Sequence, residues 1–212
     1  MTTANTKIAS RCRVYLIRHG EVLNAREPCF NGHYDIALSP RGIDQVQKVA
    51  EALEGKPVSK VYSSDLQRAY ESARIVGKPR GQEPVAFPEL REICMGLWEG
   101  LTAREVDRRY PGELERRLKD VETFCAEGGE TFAQLQDRVI PKFQEIVGNH
   151  PGDSVVVVAH GGVNRVILSR VLGLPARHIF RIRQDYATVN IIQYRDGDSV
   201  VELMNGSPNS LP

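Results

Sequence analysis

Two stretches of the chain share one pattern of apolar and polar positions. Val14-Tyr15-Leu16-Ile17 is a continuous apolar run that breaks into Arg18-His19-Gly20-Glu21, and Val155-Val156-Val157-Val158-Ala159 breaks into His160-Gly161-Gly162. Short runs rich in β-branched residues and closed by glycine read as buried strands. Between them the period changes to that of a helix. Ser39-Pro40 supplies an N-cap and a first-turn proline; Ile43, Val46, Val49, Ala50 and Leu53 follow at helical spacing, and Gly55 stops the segment. Lys60-Val61-Tyr62 reads as another strand, ending in Ser63-Ser64-Asp65. The next helix carries Leu66, Ala69, Ala73 and Val76 on one face and Arg68 in its first turn. Val85-Ala86-Phe87, set between two prolines, reads as a short extended segment.

Residues 101–127 are strongly charged, and the spacing of Leu114, Leu118 and Val121 predicts one or two solvated helices. No strand precedes them, so residues 93–127 read as an insertion or lid over the sheet. Gly128-Gly129 breaks the chain, and Thr131 to Val147 reads as a long helix disturbed at Pro141. The helix after the second valine-rich run spans Gly162 to Leu172 and ends at Gly173. Thr188–Tyr194 and Ser199–Met204 alternate around Asp196-Gly197, a hairpin signal, and the tail 205–212 reads as loose. Strands alternating with helices predict a single α/β domain over residues 1–212. Its expected form is a three-layer α/β/α sandwich with a mostly parallel central sheet and a small helical insertion over the active site.

Bulk composition narrows the function classes. The 212 residues carry a net charge of +1, with 41% hydrophobic and 26% charged residues, so nothing draws the chain to nucleic acid or an anionic membrane. The longest apolar run, five residues, is too short for a membrane span. Cys12, Cys29, Cys94 and Cys125 show no Cys-x-x-Cys spacing, which fits neither a zinc site nor a disulfide framework and suggests a reducing compartment. The first dozen residues lack an apolar core, so no signal peptide is expected and the location reads as cytoplasmic.

In open α/β sheets ligands bind beyond the carboxyl ends of the strands. Arg18, His19, Arg68 and His160 all fall there, with Glu92 in a loop-like position. A strand-end histidine taken singly is explained by a ring satisfied on a backbone carbonyl; two identical arrangements argue for one shared crevice. Planar guanidinium forks match phosphate oxygens. Gly20 and Gly161 let the backbone approach an anion, and Gly162 opens a helix whose N–H groups favour negative charge. In such a pocket a neutral His19 can attack phosphorus, His160 and the arginines can stabilise the equatorial oxygens, and Glu92 can protonate the leaving oxygen. No cofactor and no metal ligand set is evident.

At these residues the sequence resembles the histidine phosphatase superfamily, also called the phosphoglycerate mutase-like family. The resemblance runs through Leu16-Ile17-Arg18-His19-Gly20-Glu21, Leu38-Ser39-Pro40-Arg41-Gly42, Tyr62-Ser63-Ser64-Asp65-Leu66-Gln67-Arg68-Ala69, Leu90-Arg91-Glu92-Ile93, Gly96-Leu97-Trp98-Glu99-Gly100, Gly129-Glu130-Thr131 and Val158-Ala159-His160-Gly161-Gly162. It implies His19 as the phosphorylated nucleophile, Arg18, Arg68 and His160 as phosphate ligands, and Glu92 as proton donor. Gly161 joins the phosphate ligands, and Asn24 and Gly20 are candidate substrate contacts. Many members carry Ser or Thr four residues after the motif arginine and Asn three further on. Here Val22 and Ala25 stand there, with Asn24 one place early.

Within the family the short chain lacks the mutase Glu-Arg-His-Tyr-Gly signature, and Arg116-Arg117 lacks the residues that flank the mutase substrate arginines. The Glu92-to-Gly100 run looks like the α-ribazole phosphatase and broad-specificity branch, which would link the chain to cobalamin biosynthesis. The expected function is therefore a metal-independent phosphomonoester hydrolase acting on a small phosphorylated metabolite. A phosphoglycerate mutase is the alternative, and a non-catalytic phosphate-binding module a remote one.

Overall fold

The computed structural model describes residues 11–195 and 198–212. Six strands form one mixed sheet: β1 (Cys12–Arg18), β2 (Lys60–Ser64), β3 (Val85–Phe87), β4 (Ser154–Ala159), β5 (Val189–Arg195) and β6 (Asp198–Gly206). Their spatial order is β3-β2-β4-β1-β5-β6. The first four run parallel, whereas β5 and β6 are antiparallel to their neighbours.

The continuous apolar runs have a direct cause. Side chains alternate across a strand, and here both faces are covered. Val14 and Leu16 of β1 join Val155, Val157 and Ala159 of β4 in one core, which also takes in Phe132, Leu135, Val139 and Phe143 of α5 (Phe132–Gly148) and Val163, Val166 and Ile167 of α6 (Gly161–Leu172). Tyr15, Ile17, Val156 and Val158 enter the opposite core with Val46 and Val49 of α1 (Pro40–Ala52) and Ala69, Ala73 and Val76 of α2 (Gln67–Gly77). This is the expected three-layer arrangement. Each fully buried aliphatic contributes about 1.5–3 kcal/mol, and the ends of β1 and β4 stand on strands buried on both faces.

Local signals set the helix starts. Ser39 Oγ accepts from the Gly42 amide at 3.0 Å, with Pro40 at the first helical position. Thr131 and Gln134 form a reciprocal capping box that opens α5. Between β3 and α5 the chain makes two short helices, α3 (Ala103–Arg109) and α4 (Glu113–Lys119), over a buried Trp98 whose indole donates to Glu113. This stretch leaves and rejoins the body through a narrow neck, where the Leu97 amide donates to Glu127 O at 2.9 Å and the Glu130 amide to Cys94 O at 3.0 Å.

The one or two solvated helices expected in 101–127 are α3 and α4, and two local expectations are corrected. Helix α5 runs unbroken through Pro141, because Pro141 is exposed and the carbonyl it leaves unpaired, that of exposed Asp137, can be hydrated. Within α4 Leu118 is 71% exposed, and beyond its end at Lys119 the inward contacts come from Val121 and Phe124. Residues 205–212 are not loose: they complete β6, turn through a 3₁₀ segment at Pro208–Ser210 and lay Leu211 against the core beside α1. The strands predicted on either side of Asp196-Gly197 pair as a hairpin; those two residues themselves lie outside the described ones. Among the described residues no helix is long and apolar enough to cross a membrane.

Candidate active site

The register of β1 against β4 pairs Arg18 with Ala159, so the next residue of each strand, His19 and His160, emerges side by side. Their ring centroids lie 5.1 Å apart, edge to face, and both residues are buried. His19 Nδ1 lies 2.7 Å from Gly20 O. A carbonyl only accepts, so the neutral ring carries its proton on Nδ1 and leaves Nε2 with a free lone pair. Both nitrogens of His160 are buried without a protein partner among the described residues. Burial, reinforced by the Arg68 and Arg18 guanidiniums, holds His19 well below the ordinary histidine range. Burial, Arg68, His19 and Arg18 do the same for His160.

The two cations are held by neutral carbonyls, which orient a guanidinium without cancelling its charge. Arg68, 1% exposed, donates to Tyr34 O at 3.0 Å and Gly32 O at 2.7 Å. Arg18 donates from Nη1 to Gln184 O at 2.6 Å and lies over the Tyr186 ring, 4.1 Å from its centroid. Its Nε is buried without a partner among the described residues and lies beside Gly161. A Cβ on Gly161 would sit 3.0 Å from Arg165 Nη1 and 3.5 Å from Arg18 Nε, so two guanidiniums flank the start of α6.

Glu92 approaches from the opposite side. Its Oε1 accepts from the Ile93 amide and its Oε2 from the Gly162 amide, each at 2.9 Å. Arg138 of α5 fixes the loop that carries it, donating to the carbonyls of Glu89, Arg91 and Glu92 at 2.8, 2.7 and 2.9 Å while pairing with Glu130. Arg91 adds a bidentate pair to Asp65 at 2.7 and 2.6 Å. Arg18, His19, Arg68, His160, Gly161 and Glu92 thus come together as one group.

Gly20 and Asn24 have other employment. The Gly20 amide donates to Ser72 Oγ at 3.2 Å, and a Cβ there would lie 2.4 Å from Gly42 O, so its missing side chain serves the packing of β1 against α1 rather than an anion. The Asn24 amide is spent on a reciprocal pair with Asn31, at 2.7 and 3.2 Å. Glu21 accepts from Ser39 Oγ and pairs with Arg41, outside the group.

The structure adds Arg165, Tyr186 and Gln184 to the site and returns Arg117 to it. Arg165 donates to Ile182 O at 2.8 Å and lies 6.0 Å from the Phe180 ring; Arg117 reaches the same ring at 5.7 Å from the other stretch of chain. Burial lowers both arginines, with the attraction of Glu92 opposing the shift. Arg165 had a signal, since it stands four residues after Gly161 and so returns to the same helical face. Tyr186 and Gln184 had none.

Two neutral imidazoles, one presenting a free nitrogen, four cations and one carboxylate can bind a dianionic phosphoryl group, attack it and exchange a proton with its leaving oxygen. Among the described residues no group of three or more His, Cys, Asp or Glu side chains is placed to hold a metal ion.

The sequence matches the histidine phosphatase superfamily (branch 1) over residues 14–207. It is 35% identical over 188 residues to phosphoglycerate mutase-like protein 4 of Arabidopsis thaliana, covering 87% of this chain and 80% of that one. It is 28% identical over 196 residues to the adenosylcobalamin/alpha-ribazole phosphatase of Escherichia coli, covering 91% and 95%. The fold superposes on that of Bacillus stearothermophilus YhfR with a TM-score of 0.87 at 28% identity, over 92% of this chain and 97% of that one.

Proposed function

The chain belongs to the histidine phosphatase superfamily, and from that premise we propose that it is a phosphomonoester hydrolase working through a phosphohistidine on His19. The observation that carries this reading is the Nδ1 hydrogen bond to Gly20 O, which leaves Nε2 of a neutral ring as nucleophile between two guanidiniums. In the first step Nε2 bonds to phosphorus, the P–O bond to the alcohol breaks, and Glu92 gives its proton to the departing oxygen. Arg18, Arg68 and His160 stabilise the equatorial oxygens as charge spreads over them. In the second step Glu92 takes a proton from water, the hydroxide oxygen bonds to phosphorus, and the P–N bond breaks to release inorganic phosphate and neutral His19.

The substrate class is a small phosphorylated metabolite, and α-ribazole 5′-phosphate is the first member to try because a relative 28% identical over 91% of this chain bears that specificity in its name. A cytoplasmic setting is supported by four free cysteines, including Cys12 in the core. The test is a panel of phosphomonoesters, α-ribazole 5′-phosphate and 3-phosphoglycerate among them, with quenched samples assayed for acid-labile, base-stable phosphoenzyme. Phosphate release with label on His19 is expected. Efficient conversion of 3- to 2-phosphoglycerate dependent on a bisphosphate primer would make the chain a mutase. A stable phosphate complex without turnover would make it a binding module.

A further inference from the structure

Two non-glycine residues among the described ones hold φ in the left-handed region, Ala187 at +51° and Asn205 at +53°. Such a conformation costs a residue with a Cβ about 1–2 kcal/mol, and here one set of hydrogen bonds fixes both. Asn205 Oδ1 accepts from the Asp185 amide at 2.7 Å and Thr188 Oγ1 at 2.9 Å, and Asn205 Nδ2 donates to Asp185 Oδ2 at 3.0 Å. The Asn205 amide donates to Asn190 Oδ1 at 2.8 Å. The Ala187 amide is shared between Arg18 O and His19 O, 3.1 Å from each. The turn 184–188 is therefore strapped to the end of β1 in a shape that its own sequence disfavours. Strain of this kind persists only where the surroundings over-determine it, and it is a pointer to function.

The product of that shape inside the site is Tyr186. Its ring lies under the Arg18 guanidinium at 4.1 Å and tilts against the His19 ring at 5.6 Å. The comparison with Arg68 is instructive. Arg68 is gripped by two carbonyls and almost fully buried, whereas Arg18 is only partly buried and has one carbonyl, Gln184 O. Arg18 thus lacks one of the two grips, and the Tyr186 face occupies that role. The same turn supplies both holds, Gln184 O on one edge and Tyr186 on one face. That leaves the Nε edge, beside Gly161 at the start of α6, as the one without a protein partner among the described residues.

We propose that Tyr186 is a positioning residue for Arg18: it fixes the plane of the guanidinium so that the free edge meets phosphate oxygens beside His19. The proposal rests on the reading of this pocket as a phosphate site, but not on turnover. A cation–π contact is worth about 0.5–2 kcal/mol depending on desolvation, which corresponds to roughly 2- to 30-fold in phosphate affinity.

The experiment measures the dissociation constant of inorganic phosphate, together with kcat and KM, for Tyr186→Leu, Tyr186→Phe, Arg18→Gln and the Tyr186→Leu/Arg18→Gln pair. Tyr186→Leu is expected to weaken phosphate binding by roughly 5- to 30-fold and to slow the phosphorylation burst, and Tyr186→Phe, which keeps the ring, to recover most of the loss. In the Arg18→Gln background the leucine change should add little, because the two residues act as one unit. If Tyr186→Leu does not fold, Tyr186→Met, also without a π-face, replaces it. Unchanged phosphate affinity, an equal loss for leucine and phenylalanine, or full additivity with Arg18→Gln would each overturn the proposal. Phosphate coupling between Tyr186 and Arg18 with no label on His19 would overturn the phosphohistidine mechanism and leave this inference standing.

Discussion

The amide of Gly162 donates to Oε2 of Glu92 across 2.9 Å, joining the first turn of α6 to the loop that carries the carboxylate. A Cβ on Gly162 would lie 2.3 Å from the other oxygen, Oε1. Gly162→Ala should therefore displace Glu92 while leaving His19 and both strands in place. The expected result is a loss approaching the worth of general acid catalysis, roughly 10²–10⁴-fold, on alkyl phosphates. In a Glu92→Gln background the same change should cost little more, which parallel kinetics of the single and double variants would show.

Glu92→Gln itself separates an acid from a wall. An alkoxide is a poor leaving group and needs a proton; a phenolate does not. Burst phosphorylation by an alkyl phosphate should fall by roughly 10²–10⁴-fold and by an activated aryl phosphate far less. Equal losses would reduce Glu92 to a shaping role and send the search for the acid to Glu21 or the 93–127 stretch.

His19→Ala should abolish both turnover and the acid-labile phosphoenzyme, since the Nδ1 bond to Gly20 O leaves Nε2 of His19 free as the nucleophile. Mass spectrometry of quenched enzyme reads the outcome. Label that persists in this variant would move the nucleophile to His160.

Both histidines are held neutral, and this gives stability a pH dependence of known sign. In the unfolded chain they titrate near pH 6.5. As pH falls below that value the unfolded chain binds protons that the folded chain refuses, so their contribution is complete above about 6.5 and is lost from there down to the depressed folded values. Each ring adds a slope of about 1.4 kcal/mol per pH unit in that window. Urea unfolding at about pH 7.5, 6 and 5 should show it, and His160→Gln should remove one ring's share. An unchanged slope in that variant would mean His160 is already protonated in the folded protein.

Phosphatase activity should survive EDTA, because the proposed steps use only His19, His160, Glu92 and the arginines. Loss on chelation, restored by one divalent metal, would overturn the two-histidine mechanism.

The core of the site was legible because its signals are local. A buried strand that ends in His-Gly announces both its burial and its carboxyl end, and β1 and β4 did so with His19 and His160 in adjacent register. Arg68 lies in the first turn after a strand, and Glu92 is marked only by the resemblance of Leu90-Arg91-Glu92-Ile93. What could not be read was decided by contacts distant in sequence. Tyr186 reaches Arg18 through a turn whose conformation is set by Asn205, and no pattern of apolar positions encodes a positive φ at Ala187. Gly20 looked like room for an anion until Gly42 was found to fill it. Pro141 looked like a break, but a helix tolerates a missing donor where the orphaned carbonyl meets water. Leu118 kept its helical spacing in a helix too short to use it.

The neck at Cys94, Leu97, Glu127 and Glu130 has a consequence for descent and engineering. The chain leaves and returns there between hydrogen-bonded partners, so the excursion is a cassette whose ends are already closed. Lengthening such an excursion is cheap, about 0.6 kcal/mol for each doubling, and the neck bonds themselves use no residue of β1 or β4. The exposed parts of the cassette can therefore be rewritten without retuning His19 or His160, whereas Trp98, Val106, Val121 and Phe124 pack in the core of β1 and β4 and stay with the host. A chimera that keeps the four neck residues, Arg117 and the host's buried side chains and borrows the rest should inherit the host's chemistry with the donor's choice of alcohol.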